Sequence, residues 1–158
     1  MIRPALIILM IFIAGCAYNP PIYNRPEQSN LKNKAVLDIP FEQAWQKTIN
    51  TLFSQGYLIK VADKNNGIIT TERKSVKLNE TQADCGNIWG LAYTKDERTT
   101  TYVVHSIHVQ KAEGNSTITV NTNIEGLFNA IASGDTKQLS CYSLGYLEQD
   151  LINNIQKD

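Results

Sequence analysis

Apolar residues recur along this chain in two rhythms. Phe41, Ala44, Trp45, Ile49, Leu52 and Phe53 stand three and four apart, with Glu42, Gln43, Gln46, Lys47 and Asn50 on the other side. That spacing predicts an amphipathic helix over 41–55, closed by Gly56 in the left-handed conformation that helix ends favour. Its aromatic stripe reads as core. Val36–Ile39 ahead of it is a short strand candidate stopped by Pro40. The rhythm then shortens to two. Tyr57, Ile59 and Val61 alternate with Leu58, Lys60 and Ala62, the polar run Asp63–Gly67 makes a turn, and Ile68–Arg73 alternates again, which predicts a hairpin. Thr99–Gln110, a turn at Ala112–Asn115, and Ile118, Val120, Thr122 and Ile124 predict a second hairpin with one apolar and one polar face. Leu144, Leu147, Leu151, Ile152 and Ile155 return to helical spacing, with Ser143 placed to cap that helix.

The predicted order is strand, helix, hairpin, long loop, hairpin, irregular segment, helix. It implies a single α+β domain over 35–158, an antiparallel sheet of about four to five strands with two amphipathic helices packed on one face. No repeat of fixed period interrupts it.

The first 34 residues follow neither rhythm. Arg3 precedes an uninterrupted apolar run, Ala5–Ala14, which is half the roughly 20 residues a helix needs to cross a bilayer and suits the hydrophobic region of a secretory signal. Ile13-Ala14-Gly15-Cys16 resembles the lipobox of bacterial lipoproteins. The resemblance implies that 1–15 is a signal peptide, cut before Cys16, and that Cys16 carries acyl chains. Each buried CH₂ of those chains contributes about 0.8 kcal/mol, so two or three of them hold a protein on membrane lipid with no spanning helix. The absence of Asp at position 17 implies, on the same resemblance, transfer to the outer membrane, with the domain in the periplasm. Residues 16–34 hold three of the chain's five prolines and read as an extended tether. The alternative is a recognition segment with Tyr18, Ile22 and Tyr23 as its contacts.

Composition narrows the classes further. Fifteen basic residues balance fifteen acidic ones in 158 residues, with 42% hydrophobic, so neither an acidic disordered tail nor a nucleic-acid binder that neutralises phosphates fits. With Cys16 committed to lipid, Cys85 and Cys141 are left in an oxidising compartment, and a disulfide between them is the economical reading. A catalytic or metal-binding thiol pair is the alternative, lacking C-x-x-C spacing and a basic neighbour. His105 and His108 sit three apart on a strand and so face opposite ways, unable to share a metal. No nucleophile elbow, zinc-protease motif, phosphate loop or dinucleotide turn occurs. No catalytic residue, metal ligand or cofactor is therefore assigned.

One stretch carries a family resemblance. Pro40-Phe41-Glu42-Gln43-Ala44-Trp45, then Leu52–Tyr57, then Ile59–Glu72 with Asp63-Lys64-Asn65-Asn66-Gly67-Ile68 within it, is similar to the repeated domain of BamC-like lipoproteins of the outer-membrane β-barrel assembly machinery. The resemblance implies a helix-grip-like domain. This chain has one such domain where BamC has two, and it adds the cysteine pair.

Two classes of function fit. The first is a non-catalytic lipoprotein that binds another envelope protein through the exposed sheet face, the tether, or loops carrying Trp89, Leu127 and Phe128. The second is a small envelope enzyme or ligand carrier with a pocket between helix and sheet, drawing on His105 and carboxylates. The sequence supplies a surface and an anchor but no chemistry, which favours the first.

Overall fold

The computed structural model describes residues 31–88, 90–130 and 134–157. The signal segment, Cys16, the tether up to Asn30 and Trp89 lie outside the described residues.

The elements in chain order are β1 (Lys34–Leu37), α1 (Phe41–Ser54), β2 (Ile59–Asp63), β3 (Ile68–Thr71), β4 (Lys74–Ser75), β5 (Ala83–Asp84), β6 (Asn87–Ile88), β7 (Leu91–Ala92), a 3-10 turn at Tyr93–Lys95, β8 (Thr99–Lys111), β9 (Ser116–Ala130), β10 (Asp135–Ser143) and α2 (Tyr146–Lys157). The spine is the hairpin of β8 and β9, paired from Thr99↔Phe128 to Lys111↔Ser116. Both strands are rich in Thr, Val and Ile, whose branched side chains suit a pleated surface. Thr99, Thr101, Val103, His105, Ile107 and Val109 are all buried on β8, as are Ser116, Ile118, Val120, Ile124 and Phe128 on β9, so one face of the hairpin is core throughout.

Each outer side of this spine is filled by two shorter strands end to end. On β8 these are β3, with Ile69 opposite Ile107, and β4, with Lys74 opposite Val103. On β9 they are β1, with Lys34 opposite Thr119, and β10, with Cys141 opposite Ile124. The sheet has eight strands, with the path β2-β3-β8-β9-β10-β5 and β1 and β4 beside it, while β6 and β7 form a separate two-stranded ribbon. All of these pairings are antiparallel.

Helix α1 buries Phe41, Ala44, Trp45, Thr48, Thr51 and Leu52. It starts on Pro40, whose carbonyl accepts the N–H groups of Gln43 and Ala44 at 3.0 Å each. It ends in a Schellman closure: Gly56 at φ 73 donates to Phe53 and Tyr57 donates to Leu52, at 2.9 and 2.8 Å. Helix α1 packs on β8, α2 packs on β9 and β1, and the helices touch each other. At α2, Ser143 stands before the first turn: its hydroxyl accepts the Gly145 N–H at 3.2 Å and donates to the buried Glu148 carboxylate at 2.6 Å.

The expected α+β sheet of about four to five strands with two helices packed on one face is overturned. The described residues are 47% strand, and the main sheet has eight strands with only two helices. Two physical facts account for the difference. The segment expected to be irregular is β10, a strand held by pairing with β9 from Asp135↔Ala130 to Cys141↔Ile124. Further, the helices form only part of the layer over the buried face. The rest comes from the chain between Val76 and Arg98, which contributes Leu78, Ala83, Cys85 and Tyr93 to the same core as Ile124, Phe128 and Leu139.

Candidate functional site

The excursion from Val76 to Arg98 is short of regular structure, so its position depends on discrete ties. The Cys85–Cys141 disulfide fixes its middle to β10. Beside it, β5 pairs with the end of β10, Asp84 opposite Tyr142 and Ala83 opposite Ser143. The Asp84 carboxylate accepts the Gly86 N–H at 2.6 Å, and Tyr93 donates its backbone N–H to Gly86 at 3.0 Å, which turns the chain back toward the sheet. There the Tyr93 ring meets Phe128 edge-on, with centroids 5.0 Å apart. Asp96 ends the excursion: its carboxylate accepts the backbone and guanidinium N–H groups of Arg98 at 3.0, 2.9 and 2.5 Å. Those hydrogen bonds lower its pKa to about 2. The Arg98 guanidinium in turn lies 4.7 Å from the centre of the Phe128 ring.

This arrangement leaves a groove along β10. Among the described residues, Lys137–Leu139 have a ladder partner on the β9 side only, because β5 pairs no further back than Tyr142. The groove beside them has a volume of about 240 Å³ and is lined by Cys85, Asn87, Tyr93 and Lys137–Ser140. It therefore offers both unpaired strand backbone and a partly apolar wall. Gln138 links it to the polar face of the sheet by donating to Glu125 at 3.1 Å. Glu125 also pairs with Arg73 at 3.1 Å, and the Arg73 guanidinium covers the Tyr102 ring at 3.6 Å. A row of Tyr102, Arg73, Glu125 and Gln138 thus crosses three strands. Around it the face carries hydroxyl and amide side chains, among them Thr100, Ser106, Asn121 and Asn123.

The residues singled out from sequence fare unequally. Cys85 and Cys141 are bonded to each other. Phe128 is not a loop contact: it is 7% exposed on β9, under Tyr93 and Arg98. Leu127 is half-buried on the opposite face, in register with Gln138 at the groove. Trp89 and Cys16 lie outside the described residues. His105 is buried and His108 exposed, on opposite faces of β8. The backbone N–H of His105 donates to Thr71 at 2.9 Å, its Nδ1 lies 3.0 Å from the Thr122 hydroxyl, and the Tyr57 ring meets it edge-on at 4.7 Å. Burial, and secondarily the Lys74 ammonium, push its pKa down to about 4.

The carboxylates are mostly spent on local structure. Asp63 accepts from Asn66, which lowers its pKa, Asp84 holds Gly86 and Asp96 holds Arg98. Among the described residues no group of three or more His, Cys, Asp and Glu could hold a metal ion. A wider, polar cleft of about 550 Å³ lies where the start of α1 meets the 64–67 turn and the end of β8, lined in part by Glu42, Lys64, Asn66, His108 and Lys111. The groove and the Tyr102–Gln138 row escaped the sequence reading because their members are far apart in the chain and β10 shows no apolar alternation. The chain is thus a mostly antiparallel β protein whose open features are a strand edge and a polar sheet face. No family model matches the sequence, and no curated protein is found to match it.

Proposed function

We propose that this chain is a lipoprotein of the outer membrane, held by acylated Cys16 with its domain in the periplasm, that acts without catalysis by binding an extended segment of another envelope protein. The observation that carries this reading is the groove along β10, where Lys137–Leu139 have, among the described residues, a ladder partner on the β9 side only, beside Cys85 and Tyr93. An incoming strand gains main-chain hydrogen bonds on such an edge, and pockets beside it select its side chains. The disulfide keeps the far wall in place, so little ordering is needed on binding. Segment Pro40–Glu72, which resembles BamC-like lipoproteins, forms α1 and the β2–β3 hairpin on the other side of the spine and leaves this edge open.

The test is in-cell photocrosslinking of the full-length chain, with the photoreactive residue at position 137 and a control at position 60 on β2. A defined envelope protein captured from 137 and not from 60 supports the reading. Equal capture from both, or none, refutes it. Cys16→Ser should move the protein to the soluble periplasmic fraction, and continued membrane attachment would refute the lipid anchor. The polar cleft at the start of α1 favours a second reading, a ligand carrier, which ligand binding lost on Lys64→Ala and Lys111→Ala would support.

A further inference from the structure

We propose that the β10 groove selects an extended segment that carries a carboxylate side chain opposite Lys137 and an apolar side chain two residues away, opposite Leu139. The inference rests on the strand-docking reading above and names the chemistry of the segment that docks.

The groove exists because the chain leaves the edge of β10 abruptly. β5 pairs with Tyr142 and Ser143, and a strand docked at Lys137–Leu139 would lie end to end with it. Just after β5, the Asp84 carboxylate accepts the Gly86 N–H at 2.6 Å and Gly86 takes φ 81, so the chain turns off the edge into the β6–β7 ribbon. The Cys85–Cys141 bond pins that turning point, which makes the gap a fixed part of the fold. At about 3.3 Å per residue, Lys137–Leu139 present roughly 10 Å of strand, enough for the central three residues of a docked segment.

Register decides which side chains meet the wall. Lys137 stands opposite the buried Phe128 and Leu139 opposite Gly126, so both point to the core side of β10, while Gln138 points the other way and donates to Glu125. Side chains directly opposite each other on paired strands share a face. Those of a docked segment opposite Lys137 and Leu139 therefore enter the groove together, whichever way the segment runs, and the one between them lies on the polar face.

The two ends of the wall differ in chemistry. Around Leu139 it is apolar, with Leu139 and Cys85 only 6% and 2% exposed and the Tyr93 ring beside them. At Lys137 it is cationic. The ammonium lies 5.6 Å from the centre of the Tyr93 ring, and among the described residues no acid pairs with it. Arg98, which covers the neighbouring Phe128 ring, is by contrast neutralised by Asp96. No described Asp or Glu lines the groove; Asp135, two residues back along the strand, stands outside the lining. An uncompensated cation at one end of an apolar wall is complementary to a carboxylate, and a second cation placed opposite it is repelled.

The experiment measures, by fluorescence anisotropy, the binding of labelled pentapeptides to the full-length lipidated protein in detergent micelles, with the native disulfide intact. The peptides alternate valine and threonine about a central glutamate, glutamine or lysine, so a valine lies two residues from the centre in either direction. The glutamate peptide should bind about tenfold tighter than the lysine peptide, with glutamine between, since an attractive or a repulsive cross-strand charge pair each changes affinity by up to about fivefold. Lys137→Glu, at an exposed position, should invert that order. N-methylation of all five residues, which removes every backbone donor, should abolish binding. Equal binding of the three peptides, or an order that Lys137→Glu leaves unchanged, overturns the inference and leaves strand docking standing. Undiminished binding of the methylated peptide, or no binding of any peptide at millimolar concentration, overturns strand docking, and the inference with it.

Discussion

The sharpest quantitative expectation concerns His105. Its imidazole is 1% exposed, between Tyr57 and Thr122 and within the field of the Lys74 ammonium, which is itself bound to the Gln55 carbonyl at 2.5 Å. Burial and that cation lower its pKa from 6.5 to about 4 in the folded protein. Above pH 6.5 the ring is neutral in both folded and unfolded chains and contributes no pH dependence. As the pH falls below 6.5, the unfolded chain takes up a proton that the folded one refuses, so stability declines at up to about 1.4 kcal/mol per pH unit. The loss accumulates to about 3 kcal/mol near pH 4 and then levels off for this group. Asp96, with its pKa near 2, loses its contribution as the pH falls from 3.8 toward 2, below this window. Urea unfolding followed by the fluorescence of buried Trp45, at half-unit steps from pH 7.5 to 4, measures the curve. His105→Gln should remove most of the decline between 6.5 and 4. If wild type and variant lose stability in parallel over that range, the account of a buried, proton-refusing histidine is wrong.

Two further outcomes follow from the packing. The Cys85–Cys141 bond closes a sequence separation of 56 residues, and on the chain-entropy account its removal by Cys85→Ala with Cys141→Ala should cost about 4 kcal/mol; urea midpoints within a few tenths molar of each other would refute this. Phe128→Ala should cost about 3–5 kcal/mol in the same assay, as expected of a core aromatic, and a cost below about 1 kcal/mol would return Phe128 to the surface role inferred from sequence.

What was legible in the sequence was what burial writes into side-chain pattern. Helix α1 announced itself because its buried stripe is apolar and Gly56 marks its end. The β8–β9 hairpin did so because one face is core along its whole length, so alternation persists residue after residue. The disulfide could be read by elimination in a chain with three cysteines. β10 could not: between Asp135 and Cys141 only Leu139 and Cys141 are buried, and its strand conformation comes from hydrogen bonds to β9 that no side chain records. Phe128 was misplaced for a related reason. Gly126, a residue type common in turns, stands inside β9 where a Cβ would come within 3.1 Å of both the Cys141 sulfur and Leu139, and the strand runs on through it to Phe128. Strands of two residues, β4 to β7, have no period to detect. The row from Tyr102 through Arg73 and Glu125 to Gln138 joins positions brought together only by register.

The tandem seating of β1 and β10 on β9 also decides how the protein bears load. Tension drawn through Leu31 reaches the domain at the Lys32 carbonyl, which accepts from the Gln149 amide, and then at β1, held by a ladder from Lys34↔Thr119 to Leu37↔Ser116 and by the Asn33–Asn121 and Ser116–Ile39 hydrogen bonds beside it. Yielding under force is governed by the rate at which such a joint opens. Beyond it the chain runs through α1 and the small hairpin, and then meets the Cys85–Cys141 bond, which keeps everything between the two cysteines from being drawn out. The half of the molecule that carries the β10 groove is covalently shielded from a pull that would peel the other half away.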